Sequence, residues 1–266
     1  MTRALNLLLI PLVSFAALAA FAWPFLAAAM PADAGRAMPV LAISAAVVLA
    51  GALLVALGDG VQGAMLVAML GTLTAVGMVM RFLGAGFGGI ETVLILLILA
   101  GRAFGSRFGF LLGATVMLGS SLLWGGVGPW LPFQVFAAGW VGAGAGLLPR
   151  FGKTARAGIA AGAARASHLA RPWLELAMLA FYGVVAAYLF GALMNLWFWP
   201  FAVGSGTSIS YEATADFGTN LVSFLGYTLV TSTLTWDTVR AITTVVGIVL
   251  IGRPVLAALR RSPLAR

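Results

Sequence analysis

The chain has 266 residues, of which 62% are hydrophobic and only 8% charged, fewer charges than any soluble domain of this length needs to cover its surface. It therefore reads as an integral membrane protein, and its net charge of +8, which in a soluble chain would suggest nucleic acid, is assigned to membrane topology, with no nucleic-acid partner expected. The absence of cysteine excludes disulfides and thiolate metal sites, and a lone histidine, His168, argues against a histidine-based metal site.

Residues 5–29 form the first apolar run, interrupted by Pro11 and Pro24. Ala27-Ala28-Ala29 resembles a signal-peptide cleavage site, but the run exceeds the roughly 7–15 apolar residues of such peptides, so an uncleaved helix is expected. A polar link, Pro31–Pro39, leads to a second run, Val40–Leu57, and Gly58-Asp59-Gly60 reads as a tight turn. The third run, Val61–Met80, carries Ala64, Ala68, Gly71 and Ala75 at helical spacing. Such small residues suit close approach to another membrane helix or packing inside the protein. Arg81 and a glycine-rich loop, residues 84–89, follow. Glu91 then heads a short apolar run to Ala100, expected to borrow length from the loop or to tilt inside the protein.

Phe108–Leu123 is the fifth run, and it ends in Trp124-Gly-Gly-Val-Gly-Pro-Trp-Leu-Pro-Phe-Gln134. Glycine and proline at this density end a helix. Irregular backbone between two membrane-length segments sits at the interface or lines a cavity, because lipid cannot satisfy its hydrogen bonds. This break is therefore a candidate binding loop. Leu131–Leu148 is the sixth run, with Gly142 and Gly146 as a close-packing face. The basic stretch Pro149–Arg171 reads as a topology signal or a partner-docking loop. Trp173–Trp197 is the seventh run, followed by a Gly/Ser/Thr-rich loop with Tyr211, Glu212 and Asp216. Leu221–Leu234 reads as an interfacial or re-entrant segment, and Trp236–Leu259 as the eighth span.

Eight crossings place both termini on one side. If that side is the cytoplasm of a bacterial cell, twelve of the 15 basic residues lie inside, and only Arg36, Arg81 and Arg240 lie outside. The Trp124–Gln134 break, the Arg81–Glu91 loop and the 197–237 loop then share the outer face.

No acidic pair lies within one helical turn inside a run, and no Gly-x-x-x-x-Gly-Lys-Ser/Thr sequence is present, so the chain is not expected to be an enzyme. The cores of the runs are nearly free of ionisable groups, which assigns any transport energy to another polypeptide. The candidate ligand contacts are Arg81, Glu91, Trp124, Trp130, Gln134, Asn195, Trp199, Tyr227, Trp236 and Asp237: aromatic walls with a few polar groups suit a neutral or amphipathic organic molecule. Several of the tryptophans equally fit an interfacial aromatic belt. Asp237 and Arg240, three apart, can pair on one helix face; Arg81 and Glu91 can latch the glycine loop or touch ligand.

Gly89-Ile-Glu-Thr-Val-Leu-Ile-Leu-Leu-Ile-Leu-Ala-Gly101, Phe104-Gly-Ser-Arg-Phe-Gly-Phe-Leu-Leu-Gly113 and Gly128-Pro-Trp-Leu-Pro-Phe-Gln134 together resemble the substrate-binding S components of energy-coupling factor (ECF) vitamin transporters. Residues 227–241, Tyr-x-x-x-x-Ser-x-x-x-Trp-Asp-x-x-Arg-Ala, look most like the cobalamin-type group. The resemblance covers roughly Val61–Leu259 and implies a six-helix S-component-like unit, residues 61–266; with the two N-terminal runs, residues 1–60, which fall outside the family's six-helix pattern and read as two extra transmembrane helices, the expectation is an all-α polytopic membrane protein of about eight spans. The resemblance also implies capture of a vitamin, cobalamin or another, on the outer face, with no covalently bound cofactor. Docking would be on a T component carrying two ATP-binding subunits, and the family's alanine-x-x-x-alanine contact falls on Ala64 and Ala68. A self-contained facilitator for a neutral solute and a non-transporting scaffold are the alternatives.

Overall fold

A computed structural model describes residues 3–29, 32–58, 63–84, 88–124, 126–149 and 161–262, with side chains described except at 3–11, 32–35, 53–58, 124 and 161–171. The expected turn at 58–60, the middle of the glycine loop and most of the basic 149–171 stretch lie outside the described residues.

Among the described residues every regular element is helical: α1 (Arg3–Phe21), α2 (Trp23–Ala28), α3 (Ala32–Gly58), α4 (Ala64–Gly84), α5 (Val93–Phe104), α6 (Ser106–Trp124), α7 (Leu131–Leu147), α8 (Ala161–Ala202), α9 (Phe217–Thr228), a π-helical segment (Leu229–Asp237) and α10 (Thr238–Arg261). Four stretches are long and apolar enough to cross a membrane: Ala64–Gly84, Ser106–Leu123, Pro172–Ala202 and Phe217–Arg261. Val93–Phe104 and Leu131–Leu147 are shorter apolar helices, and Leu12–Phe21 and Arg36–Ala52 are the apolar parts, among residues described with their side chains, of the 19-residue α1 and the 27-residue α3. All eight apolar runs thus have helical counterparts, and among the residues described with their side chains four stretches reach spanning length.

The short fourth run becomes α5, whose 12 residues extend about 18 Å, well under the roughly 30 Å of a bilayer core. Apart from Arg102 in its last turn it is apolar all round, and every residue from Val93 to Ala103 is buried. It sits among α4, α6, α7, α8 and α10 and forms the axis of the bundle. The closest helix pair is α6 with α7. Gly109 and Gly142 meet backbone to backbone there, so a methyl group on either would collide with the other.

α4 is the opposite of α5. It packs on α6 and α5, but among its residues only Leu73 and Gly77 are buried. Ala64, Ala68, Gly71 and Ala75 all lie on its exposed side, and a Cβ added at Gly71 would meet nothing. The small residues Ala64, Ala68, Gly71 and Ala75 therefore lie outside the packed side of α4, whereas Gly77 packs against Val116 of α6.

Residues 217–261 form one unbroken helical stretch, where the sequence reading placed a break near residue 235. Its buried stripe runs Asn220, Phe224, Tyr227, Thr228, Ser232, Asp237, Ala241, Thr244, Ile248, Gly252 and Leu256. The step from Ser232 to Asp237 is five residues. In an α-helix five residues turn about 140° off the stripe, whereas a π-helix closes its hydrogen bonds five residues apart and returns to it.

The N-terminal helices pack on α6, α7, α8 and α9, not apart from them. Phe21 meets Phe133 edge-on at 4.8 Å, and Trp140 donates its indole N–H to Ser14 Oγ at 3.2 Å. At the end of the bundle where α5 stops, Arg102 is buried; its guanidinium bonds Glu175 at 2.6 Å and the carbonyl oxygens of Leu148 and Pro149 at 2.7 and 2.9 Å. Arg260 reaches the same Glu175 at 2.6 Å.

Candidate functional site

The opposite end of the bundle gathers most of the predicted site residues, in three separate groups. In the first, Arg240 on α10 donates from Nε to Glu91 Oε2 at 2.6 Å and from Nη1 to Asp237 Oδ1 at 2.5 Å. Asp237 has no solvent exposure; its second oxygen accepts from Ser232 Oγ at 2.7 Å, and its carboxylate fills the space that a side chain on Gly191 would take. The Arg240 guanidinium also lies 5.2 Å from the centre of the Phe190 ring. Just before Glu91 the backbone turns through Gly89 at φ +91°, and a Cβ there would strike the carbonyl of Trp236. Only glycine fits that contact without strain. The predicted Asp237–Arg240 pair is present, as part of a three-member network in which Asp237 is buried and Arg240 and Glu91 are partly exposed; the buried charges Asp237 and Arg102 stand at the ends of the apolar runs and not in their cores.

The second group centres on Arg81, near the end of α4. Its Nη1 donates to Ser120 Oγ at 2.6 Å and to Ser121 Oγ at 3.4 Å, and its Nη2 to Gln134 Oε1 at 3.3 Å. Arg81 and Glu91 therefore do not latch the glycine loop as a pair: Arg81 ties α4 to α6 and α7, while Glu91 is held by Arg240. Gln134 is placed by this contact, one turn into a helix opened by Trp130 as N-cap, with Leu131 and Pro132 at the first two helical positions. Trp130 is partly exposed, its ring folded over Gly128. Trp236 is exposed, and Trp124 closes α6 with its side chain outside the described residues.

The third group is aromatic and already filled. Trp199 and Tyr227 are buried, and Trp199 donates its indole N–H to Ile209 O at 2.7 Å. Trp199 packs against Phe224 and Tyr211, at 5.5 and 5.3 Å between ring centres. The short helix α2 enters this cluster: Trp23 lies 6.2 Å from Trp197, Phe25 lies 6.1 Å from Trp199, and Tyr211 donates its hydroxyl to Pro24 O at 3.0 Å. Of the aromatic rings expected to wall a ligand pocket, Trp199 and Tyr227 are packed into this cluster, which α2 helps to close. Asn195 is half-buried, and its amide nitrogen has no hydrogen-bond partner among the described residues.

A polar cavity at this end, about 630 Å³, lies in the loop between α8 and α9, on residues that were not singled out as ligand contacts. Its walls are Thr207, Ser208, Ser210, Glu212, Asp216, Gly218, Thr219, Asn220, Val222 and Ser223. The walls are built: Asn220 is buried, donates to Glu212 O at 2.8 Å and accepts from Glu212 N at 3.1 Å. Ser210, also buried, donates to Gly204 O at 2.5 Å. Asp216 caps α9, accepting from Thr219 N at 3.0 Å and Thr219 Oγ1 at 2.7 Å. The Thr219 hydroxyl and amide hold the Asp216 carboxyl below its usual range, and burial pushes the Tyr211 phenol up. Such a surface offers hydroxyl donors and acceptors and two carboxylates to a polar ligand. The signal was in the sequence, as the Ser/Thr density of the loop, but composition alone does not separate a folded cup from a solvated linker. Among the described residues no three His, Cys, Asp or Glu side chains gather as metal ligands.

No protein family, curated protein or solved structure matches this chain.

Proposed function

We propose that the chain is the ligand-capture subunit of an ATP-driven importer of the energy-coupling factor S-component kind. It works in a bacterial cell membrane with both termini cytoplasmic, binds a small hydroxylated organic molecule of vitamin class, and relies on a T component and two ATP-binding subunits for energy. The observation that carries the reading is the hydroxyl-lined cavity of about 630 Å³ between α8 and α9. Its volume lies within the range of small-molecule sites. It stands at the same end of the bundle as the Arg81–Gln134 and Glu91–Arg240–Asp237 groups, which fix the neighbouring helix ends. The exposed small-residue side of α4 supports a docking role for Ala64 and Ala68. Cobalamin is the ligand suggested by residues 227–241, but a corrinoid is too bulky to enter this cavity whole and could seat only one edge; a thiamine-sized molecule or a nucleobase derivative fits inside.

The test is ligand retention by the purified protein, with cobalamin, thiamine and a riboflavin precursor as probes. Glu212→Gln and Ser223→Trp, which change the charge and volume of the cavity, are expected to weaken binding of the retained probe by about tenfold or more, the loss of one charge-assisted hydrogen bond. Retention unchanged in both variants would remove the cavity from the binding site.

A further inference from the structure

The seam between α4 and α6 holds a second cavity, and its chemistry is unlike the first. It measures about 410 Å³ and is walled by Ala75, Met78, Val79 and Phe82 of α4 and by Ser120 and Leu123 of α6. Ala75, Val79, Phe82 and Leu123 are all exposed, so the cavity opens on the outer flank of the bundle and not toward its axis. On a helix of spanning length and apolar composition, that flank faces hydrocarbon.

The one polar wall, Ser120, is where Arg81 Nη1 donates, at 2.6 Å. Every hydrogen bond of Arg81 among the described residues goes to a neutral acceptor, Ser120, Ser121 or Gln134, and two of its five N–H groups make none. Glu91, the carboxylate that acts on Arg81 electrostatically, is itself bonded to Arg240. Arg81 stands three residues before the end of α4 at Gly84, about 4.5 Å along the axis, which is the depth of lipid headgroups for a helix that spans. An apolar slot open to hydrocarbon therefore runs up to a cation with spare donors at headgroup level.

From this juxtaposition we infer that the α4–α6 seam binds one anionic membrane phospholipid, an acyl chain lying in the slot and the phosphodiester meeting Arg81 beside Ser120. The bilayer is the source, since the slot opens sideways into it. The site is independent of ligand capture in the α8–α9 cavity, and the same samples can be assayed for both.

Protein reconstituted in nanodiscs of phosphatidylglycerol and phosphatidylcholine with matched chains, then extracted in mild detergent, is examined by native mass spectrometry for the lipid it keeps. The unmodified protein is expected to keep phosphatidylglycerol over phosphatidylcholine by roughly fivefold, the weight of one basic residue at an anionic surface. Arg81→Gln should bring that ratio to about one. Ala75→Trp, which fills the slot from its lipid side, should remove the bound lipid, and Val79→Trp does the same from the other rim should the first variant not fold. Val67→Trp, on the exposed side of α4 but away from the slot, should change nothing. Equal retention of the two lipids by the unmodified protein overturns the inference, as does full retention in Ala75→Trp and Val79→Trp. Displacement of the lipid by millimolar inorganic phosphate would also overturn it, because the anion alone would then suffice.

Discussion

A carboxylate inside a helical bundle persists only where hydrogen bonds replace the water it has lost, and Asp237 meets that condition through Ser232 and Arg240. Removing it strands the Arg240 cation beside Phe190 with Glu91 as its one remaining carboxylate. Breaking a buried pair from one side costs about 3–5 kcal/mol, so Asp237→Ala should lower the melting temperature sharply in detergent. Asp237→Asn keeps the shape and an acceptor for Ser232 and should cost less. Equal, small shifts for both variants would show that the network carries little stability. The Asp237–Arg240 half of this network was legible from a spacing of three residues on one helix. Its other half was not, since Glu91 is 149 positions from Arg240 and local spacing carries no information about which helices become neighbours. The same limit explains Arg81, whose nearest partners in space come from α6 and α7 and not from the far end of its own loop.

At the level of the element, the long C-terminal helix is where local reading and structure part. Thr231, Ser232, Thr233 and Thr235 looked like a polar interruption of an apolar run. Two of these hydroxyls are taken up within the helix, Thr231 donating back to Tyr227 O at 2.7 Å and Ser232 to Asp237, and the Thr238 hydroxyl donates to the backbone carbonyl of Thr233 at 2.6 Å. Hydroxyls satisfied within the helix let it continue, and the π segment absorbs the extra residue that the buried stripe contains. Deleting exposed Thr235 should convert the five-residue step into a four-residue step and leave the stripe continuous, with a melting temperature within a few degrees of the parent, about 1 kcal/mol. Inserting one alanine at the same point should rotate α10 by about 100° against α5 and α8 and prevent folding. Thermal scans and gel filtration of the two variants decide the matter; a deletion as damaging as the insertion would mean the π geometry itself is required. By contrast, the break after α6 was read correctly from its glycines and prolines, because they act on the backbone directly.

Across the whole molecule the two faces of the bundle divide the work. One carries the N-terminal helices, whose aromatic residues close over Trp197 and Trp199; on the other, the outer side of α4 with Ala64, Ala68, Gly71 and Ala75 is left exposed. If the exposed face docks an energising partner, Ala68→Trp should abolish uptake in cells while ligand binding by the isolated subunit stays within about twofold, since Ala68 is exposed. Uptake that survives the substitution refutes the docking assignment. The helical class and the eight apolar runs were legible because hydrophobic length is a property of the chain itself. The α2 contacts and the polar cup between α8 and α9 were not, because they arise from packing between segments about 190 residues apart and from turn geometry.

The twelve-residue α5 bears on how the protein enters its membrane at all. A segment of about 18 Å cannot hold itself across the hydrocarbon while it waits for neighbours, and each of its faces is meant for protein. It is joined to α6 through the single residue Gly105, at φ +97°, and packs against it. Integration of α5 is thereby tied to the arrival of α6, and its final seating waits for α7, α8 and α10 to be synthesised. The axis of the finished bundle is thus the part that must be sheltered longest during biogenesis, and a chain stalled before α6 would present the insertion machinery with a helix it has no means of retaining.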